Sequence, residues 1–595
     1  MMKKLLTGNE AIARGAYEAG VRFASAYPGT PSTEILENIA LYKEDIKAEW
    51  ATNEKVALEA VIGASFAGAR TIAAMKHVGV NVAADPLFTD AYIGVNGGLV
   101  LVSADEPGTH SSQNEQDNRN YAKFAKIPMF EPGDSQEAKD MLKVAFDLSE
   151  QYDTPVLYRV TTRLCHSKGI VECQDRKEVE IKEYVKNVEK NIPVPANAKK
   201  LRVKVEERLG KLAEYSETTP LNYMEINGTK IGVVASGCCY SFAKEVFGDD
   251  ASYLKLGFTN PYPHKMMKEF ASKVDKLYVI EENDPIIENE LKMLGIECIG
   301  KDVFPYMGEM TPDVIRKAIY GKYLDTIEYD KSMVVPRPPG LCAGCPHRGF
   351  FYEIGKRKDA IISGDIGCYT LGFAPPYNAM DMSMCMGASL SMAHGGQQVL
   401  NMKEGNTKRF VGVLGDSTFF HSGINSLLDA VYNKGNSINI ILDNRITGMT
   451  GHQENPGSGY TLQGDSTDIV NIEAVVKAFG VKNIRVINPN DLQEVKETLD
   501  WAFGLDELSV IITRWPCVLK KLSKEDKEEF SGVFKSKLKI ESAKCIGCKK
   551  CTTVGCPAIS FDKEAKKAVI DSATCVGCEV CVQVCPVKAI EKEAK

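Results

Sequence analysis

Eight of the chain's 18 cysteines fall within its last 51 residues, in two tight runs that constrain the fold more than any other feature. The first is Cys545-x2-Cys548-x2-Cys551-x4-Cys556-Pro557, the second Cys575-x2-Cys578-x2-Cys581-x3-Cys585-Pro586. Three closely spaced thiolates reach three corners of a cubane iron–sulfur cluster. The distant cysteine before proline ligates the other cluster. This spacing assigns Cys545, Cys548, Cys551 and Cys585 to one 4Fe–4S centre, and Cys575, Cys578, Cys581 and Cys556 to a second. Zinc sites use cysteine pairs, not triplets followed by Cys-Pro. The extra residue before Cys556 loosens one loop and removes no ligand. A tail of this kind moves electrons one at a time.

The rest of the chain must say from what. At 595 residues its length suggests about four domains. Hydrophobic content of 44% and charged content of 25% are those of a soluble globular chain. A net charge of −7 gives no nucleic-acid signature. The N-terminal MMKKLLTGNEAIARGAYEAG has no long apolar core behind its lysines, so it reads as a strand leading into an amphipathic helix, not a signal peptide. No apolar run is long enough to span a bilayer. Many cysteines without an export signal argue for reduced thiols and metal ligation, hence the cytoplasm. Exposed low-potential clusters would suit an anaerobic setting.

To about residue 175, strand patterns (VRFASAY, TIAAMKHV, GGLVLVSA, TPVLYRV) alternate with helical ones such as NEKVALEAVIGASFAGA. Such alternation predicts an α/β layer with a parallel sheet. A charged connection, partly helical, covers 176–223. A second α/β unit, 224–335, holds TKIGVVASG and DKLYVIEEN, and proline-rich VVPRPPGLC marks its end. A third, 336–525, has strands at RFVGVLGD, INIILDN and LSVIITRW. Residues 526–538 read as a charged linker into the cluster domain, 539–595.

RFVGVLGD ends in Gly415-Asp416-Ser417, and the next strand ends in Asp443-Asn444. Both sets stand at the carboxyl edge of adjacent parallel strands, where α/β sheets bind ligands. A carboxylate and an amide oxygen are hard ligands for Mg²⁺, with phosphate oxygens completing the octahedron. The pair resembles the Gly-Asp-Gly…Asn-Asn signature of thiamine diphosphate enzymes, with Ser417 for the last glycine and Asp443 for the first asparagine. By that resemblance Asp416, Asn444 and the carbonyl of Ile446 hold Mg²⁺, and Gly367, Tyr369, Gly415 and Ser417 belong to the cofactor-binding set. The same enzymes need a glutamate, opening a helix on a separate domain, against the aminopyrimidine. Glu54 in AEWATNEKVALEA matches it, with Glu59 the alternative. An acid in a helix's first turn is also favoured by the dipole alone.

SAYPGTPSTEI resembles the Tyr-Pro-x-Thr-Pro-Ser-Thr segment of 2-oxoacid:ferredoxin oxidoreductases, whose first threonine touches substrate carboxylate and cofactor. Thr30 holds that position, and Thr30-Pro31 also reads as a helix cap with a first-turn proline. In the single-chain pyruvate enzymes of that superfamily, similar Cys-x-x-Cys and Gly-Cys segments ligate a cluster beside the thiazolium. The matching residues are Cys342, Cys345 and Cys368, with Cys517 as fourth ligand and Cys385 its competitor. Buried free thiols are the ordinary alternative for scattered cysteines, and Cys165, Cys173, Cys238, Cys239 and Cys298 are read as structural. His347 and Arg348 in CPHRG are candidates to reach substrate or diphosphate. Thr447, Thr450 and His452 in TGMTGHQENP are candidates to lie over the cofactor.

Taken together, the chain is similar to the alpha subunits of the indolepyruvate branch of that superfamily. The resemblance implies three thiamine-enzyme-type α/β domains, the second transketolase-C-like, then a small two-cluster ferredoxin domain. It implies oxidative decarboxylation of arylpyruvates with coenzyme A, through thiamine diphosphate, Mg²⁺ and three 4Fe–4S clusters, with ferredoxin as acceptor. A smaller beta subunit in an α2β2 assembly is also implied; nucleic acid and membrane are not expected partners. The rivals are another 2-oxoacid substrate, a non-oxidative thiamine decarboxylase and a pure electron-transfer subunit.

Overall fold

The buried apolar runs become parallel strands. The computed structural model describes residues 2–324, 327–530 and 536–593, and the chain forms two compact units, Met1–Asp330 and Lys331–Lys595. In the first, a seven-stranded sheet runs in the order Phe258–Asn260, Met129–Phe130, Val156–Thr161, Leu99–Asp105, Thr71–Lys76, Phe23–Ala26, Lys47–Trp50. All neighbours are parallel except the first pair. Leu99–Asp105 and Val156–Thr161 are buried at every position, as strands covered by helices on both faces must be. The N-terminal strand Met2–Thr7 pairs antiparallel with Lys168–Cys173. Thr7 and Glu10 form a capping box on helix Gly8–Glu18.

A smaller sheet in the same unit orders Leu277–Ile280, Gly232–Ser236, Ser252–Leu256 and Asn222–Glu225, the last antiparallel. Between the strands of the two sheets in sequence comes helix Pro195–Ser216, begun by a proline in its first turn. Strand Phe258–Asn260 leaves the small sheet's stretch of sequence and pairs with Met129–Phe130 of the large one. The Phe258 ring meets Phe130 edge-on, centroids 5.3 Å apart. The large sheet is therefore completed by a strand that follows the small sheet's third strand in sequence.

The second unit holds an all-parallel five-stranded sheet: Ala360–Ser363, Arg409–Gly415, Ile438–Asp443, Ser509–Arg514, Asn483–Ile487. Gly415 pairs with Leu442 and Asp443 with Arg514. Residues 365–368, 415–417, 443–447 and 515–517 therefore all follow strand ends on one carboxyl edge. The C-terminal tail packs two short antiparallel pairs, Leu538–Ile540 with Ile590–Lys592 and Ile559–Asp562 with Lys567–Ile570. Their core interleaves cysteines with Val554, Ala568 and Val580. The chain is thus an α/β protein built on largely parallel sheets, with a small cysteine-rich domain at its C-terminal end.

The expected linker departs from expectation at its start. Helix Lys524–Glu529 is capped by Ser523, and Asp526, wholly buried, receives Lys520 Nζ. Glu529 binds Arg445 at 2.6 Å. A buried acid needs such partners, so this charged run docks on the domain before it. Residues 531–535 of the same linker lie outside the described residues.

Candidate thiamine and cluster sites

In the first unit, Glu54 is the first residue of helix Glu54–Phe66, and Asn53 caps that helix by accepting from Val56 N–H at 2.9 Å. Glu54 is 5% exposed and lies against Gly79, where a Cβ would stand 2.7 Å from Glu54 Cγ. Glu59 is exposed and pairs with Lys55, as an ordinary surface i,i+4 pair does. Thr30 sits in a turn, not at a cap. Ser32 N–H and Oγ both donate to Gly29 O at 2.9 Å, which delays the helix to Thr33. The helix-cap reading of Thr30 is therefore corrected.

Gly29 abuts Lys76, whose Cγ a Cβ there would approach to 3.2 Å. Lys76 ends the strand Thr71–Lys76. Burial lowers its pKa, while Glu106 and then Glu54 pull it back up. Lys76 and Glu106, the latter holding Ser111 Oγ at 2.7 Å, were missed by sequence reasoning. The strand-end position of Lys76 is the one signal that could have found it.

In the second unit, Asp416 is buried, and its carboxyl is pushed up to about 7 by desolvation and then by Asp443. A buried carboxylate of this kind suits a cation, which would restore its charged form. Asn455 Nδ2 donates to its Oδ2 at 3.1 Å. Asn444 Oδ1 accepts from Ile446 N–H at 3.2 Å, and its amide nitrogen faces His347 Nε2 at 3.4 Å. His347 is wholly desolvated, which lowers its pKa to about 4. The neutral ring therefore offers an acceptor to Asn444.

Asp443, where the thiamine signature has asparagine, is bound by Arg514 Nε at 2.9 Å and lies 3.5 Å from Arg445 Nε. Those arginines tie it to the docked helix through Glu529. Ser417 Oγ accepts from Thr447 Oγ1 at 2.8 Å. Thr447 also exchanges backbone hydrogen bonds with Gln453 at 3.0 and 3.1 Å, closing the loop that carries Thr450 and His452.

Gly367 and Gly415 flank one ring. A Cβ on either would lie 2.5 or 2.6 Å from Tyr369. Tyr369 OH holds Ile366 O and Thr418 Oγ1, each at 2.7 Å. Asp365, also absent from the sequence reading, is buried and pushed up to about 6 by desolvation. It accepts from Ile366, Gly387 and Ser389 N–H at 2.8–3.0 Å, fastening this loop to helix Ala388–Asn401.

The scattered cysteines meet at the same edge. Burial pushes Cys345 up to about 12, and Cys368 and Cys517 add to the shift. Cys368, pushed up to about 11 by burial, interacts with Cys517, Cys342 and Asp416. Cys517, raised by burial, interacts with Cys342 and Asp416, and its N–H donates to Asn444 O at 3.0 Å. Cys385, also raised by burial, interacts with Asp365 and with none of these four. A Cβ on Gly448 would lie 3.4 Å from Cys368 Sγ and 3.9 Å from Asn444 Nδ2.

Thiols raised this far are poor thiolates alone and good ligands once a metal takes the proton's place. Among the described residues no three His, Cys, Asp or Glu side chains converge on one ion's position. A cubane asks for something looser, since each of its cysteines binds a different iron.

In the tail, Cys551 is raised by burial and then by Cys545, Cys548 and Cys585. The same four sulfurs line one cavity with Ile540, Ile546 and Ile590. Cys578 is raised by burial, with contributions from Cys556 and Cys575, and Cys581 answers most, after burial, to Cys578, Cys556 and Cys575. The fold thus brings the two crossed quartets together. Arg348 departs from expectation. It is wholly buried and donates to Leu341, Cys342, Val554 and Gly555 carbonyls and Tyr377 OH, leaving the substrate-or-diphosphate role without a free donor pair.

Comparison with known proteins decides the family. The pyruvate flavodoxin/ferredoxin oxidoreductase thiamine diphosphate-binding family matches residues 14–214. The C-terminal binding domain of thiamine pyrophosphate enzymes matches 365–513, and the 4Fe-4S dicluster domain matches 538–592. Indolepyruvate oxidoreductase subunit IorA of Pyrococcus horikoshii is 41% identical over 99% of this chain and 97% of its own length. Its counterpart in Archaeoglobus fulgidus is 40% identical with the same coverage, and that of Methanothermobacter marburgensis 39%.

This chain belongs to the indolepyruvate oxidoreductase IorA family. It is a thiamine diphosphate-dependent 2-oxoacid:ferredoxin oxidoreductase chain, with thiamine-binding domains and a dicluster iron–sulfur domain. Among the described residues no helix is long and apolar enough to cross a membrane.

Proposed function

We propose that this chain is the catalytic subunit of a cytoplasmic arylpyruvate:ferredoxin oxidoreductase, working with a smaller beta subunit in an α2β2 assembly. The reaction converts a 2-oxoacid such as indolepyruvate or phenylpyruvate, coenzyme A and two oxidised ferredoxins into aryl-acetyl-CoA, carbon dioxide, a proton and two reduced ferredoxins. The observation that carries this reading is the closeness of both thiols to the Asn444 strand end: Cys517 N–H donates to Asn444 O at 3.0 Å, and a Cβ on Gly448 would lie 3.4 Å from Cys368 Sγ and 3.9 Å from Asn444 Nδ2. A diphosphate-type strand end and a four-thiol set on one sheet edge suit electrons leaving thiamine chemistry for iron. The names of the relatives support an arylpyruvate substrate.

The residues fit the groups the reaction needs. Asp416, Asn444 and the Ile446 carbonyl would hold Mg²⁺, with Asn455 orienting the carboxylate. Glu54 would hold a proton at the aminopyrimidine nitrogen. Thr30 would donate to the substrate carboxylate. Tyr369 stacks in a niche left by Gly367 and Gly415 and shapes the diphosphate edge, and Ser417 with Thr447 closes it. Bound thiamine diphosphate supplies an electron sink for the carbon left by decarboxylation. Cys342, Cys345, Cys368 and Cys517 would hold the first of three clusters, ahead of the two in the tail. The buried edge keeps water from the reacting carbon, which favours transfer to coenzyme A over hydrolysis.

An anaerobic panel of indolepyruvate, phenylpyruvate, pyruvate and 2-oxoglutarate, with coenzyme A and ferredoxin, tests this on the reconstituted complex. The two arylpyruvates should give the highest kcat/KM for ferredoxin reduction. Preference for pyruvate or 2-oxoglutarate would overturn the substrate. Carbon dioxide release without ferredoxin reduction would point to a non-oxidative decarboxylase.

A further inference from the structure

Among the described residues, no carboxylate answers the buried cation of Arg348. Its side chain is wholly buried in the helix His347–Ile354, and every group it binds is neutral. Nη1 donates to Tyr377 OH at 2.6 Å, to Val554 O at 3.1 Å and to Gly555 O. Nη2 donates to Leu341 O at 2.8 Å and Cys342 O at 2.5 Å. Nε has no partner. Burying an unpaired charge is costly, so an anion has to stand nearby in the working protein.

The arrangement around Arg348 says which anion. Its carbonyl acceptors lie in two places: the loop that leads into Cys342-x-x-Cys345, and the peptides just before Cys556. Cys342 O belongs to a ligand of the first cluster, and Gly555 O stands one peptide before Cys556. The tail domain meets the α/β domain on this same side. A Cβ on Gly344 would lie 2.1 Å from a Val576 methyl, and one on Gly555 2.8 Å from Tyr377 OH. Gln583 exchanges hydrogen bonds with Leu492 N–H and Asn490 O at 2.9 and 2.7 Å.

We propose that Arg348 is the shared counter-ion of two clusters, the one held by Cys342, Cys345, Cys368 and Cys517 and the one held by Cys556, Cys575, Cys578 and Cys581. A cubane with four thiolates is a net anion and gains one more negative charge on reduction. One guanidinium between two such groups favours the reduced form of each, and raises both potentials together. It also joins Cys342 O to Gly555 O through one side chain, so the electron enters the tail at the Cys556 quartet. One electron leaves the first cluster, one arrives at the second, and no proton moves. The Cys545, Cys548, Cys551 and Cys585 quartet, with Cys548 exposed, is left as the exit. This makes Arg348 a positioning residue for electron transfer, and it rests on the three-cluster reading.

The test is an EPR-monitored redox titration, with iron analysis, of the wild type, R348Q, R348K and Y377E. R348Q removes the charge; Y377E keeps the arginine and cancels its charge with a carboxylate. In both, the two flanking clusters should become at least about tenfold harder to reduce, a downward shift of about 59 mV for a one-electron couple. The exit cluster should keep its wild-type potential, and R348K should stay near wild type throughout. Full iron with unmoved potentials in R348Q and Y377E overturns the proposal. If R348Q loses iron, retention in R348K upholds the counter-ion, because charge alone is restored; loss in both overturns it. A wild type with about eight iron atoms, not the about twelve of three cubanes, removes the first cluster and this proposal with it. A count of about twelve with unmoved potentials removes the proposal alone.

Discussion

The side-chain amide of Asn455 donates to Oδ2 of Asp416 at 3.1 Å, so the carboxylate after strand Arg409–Gly415 is oriented by a residue 39 positions away. Asp416→Ala should lose thiamine diphosphate while keeping its iron, because the diphosphate charge loses its metal anchor. Asn455→Ala should bind Mg²⁺ about 10–100-fold more weakly, as removal of a ligand's orienting partner typically does. Cofactor content by mass spectrometry and a Mg²⁺ titration check both. Stoichiometric thiamine diphosphate in Asp416→Ala would refute the metal assignment.

Cys517 and Cys385 differ in company: only Cys517 interacts with Cys342 and Asp416. Cys517→Ala should therefore lose about four iron atoms per chain, one cubane's worth, and Cys385→Ala none. Iron analysis of anaerobically purified protein reads this directly, and the reverse result would exchange the two residues.

Glu54 is buried and Glu59 is exposed in a pair with Lys55. Glu54→Gln keeps the shape and removes the carboxylate proposed to act on the aminopyrimidine, and general acid–base contributions run to about 10²–10⁴-fold. Arylpyruvate oxidation should fall by at least about 10²-fold with thiamine binding near normal. Glu59→Gln should stay close to wild type, the surface pair being worth well under about 1 kcal/mol. A dead Glu59 variant beside an active Glu54 variant would move the catalytic glutamate one turn along the helix.

Asp90 is buried with neither carboxyl oxygen hydrogen-bonded, and burial, then Asp153, pushes it from 3.8 up to about 8. The folded state thus holds this proton more tightly than the unfolded one. Its contribution to stability is complete below about pH 4 and is lost as pH rises towards 8. Asp90→Asn should be more stabilising at pH 8.5 than at pH 4.5, by roughly 4 kcal/mol. Urea unfolding at the two pH values measures this, and a difference that does not change with pH would contradict it.

The long apolar strands were legible because burial on both faces writes itself as unbroken hydrophobic runs, as in Leu99–Asp105. The cluster ligands were legible because their spacing is local. Short edge strands such as Lys47–Trp50, with a mixed burial pattern, left no comparable mark. Partnerships closed by the fold left none either: Asp443 takes Arg514 from a neighbouring strand, and Arg348 takes Val554 from 206 residues away. Thr30 was misread as a cap because local propensity could not show the Gly29–Ser32 turn.

Strand Phe258–Asn260 completes the large sheet by covering Met129–Phe130, although most of that sheet is encoded before residue 162. Until residue 260 has left the ribosome, the nascent chain therefore carries an open sheet edge, the kind of surface on which chains pair with one another. Synthesis itself imposes a waiting period of about 100 residues, at roughly 5–20 residues per second, during which that edge has no strand of its own chain to cover it.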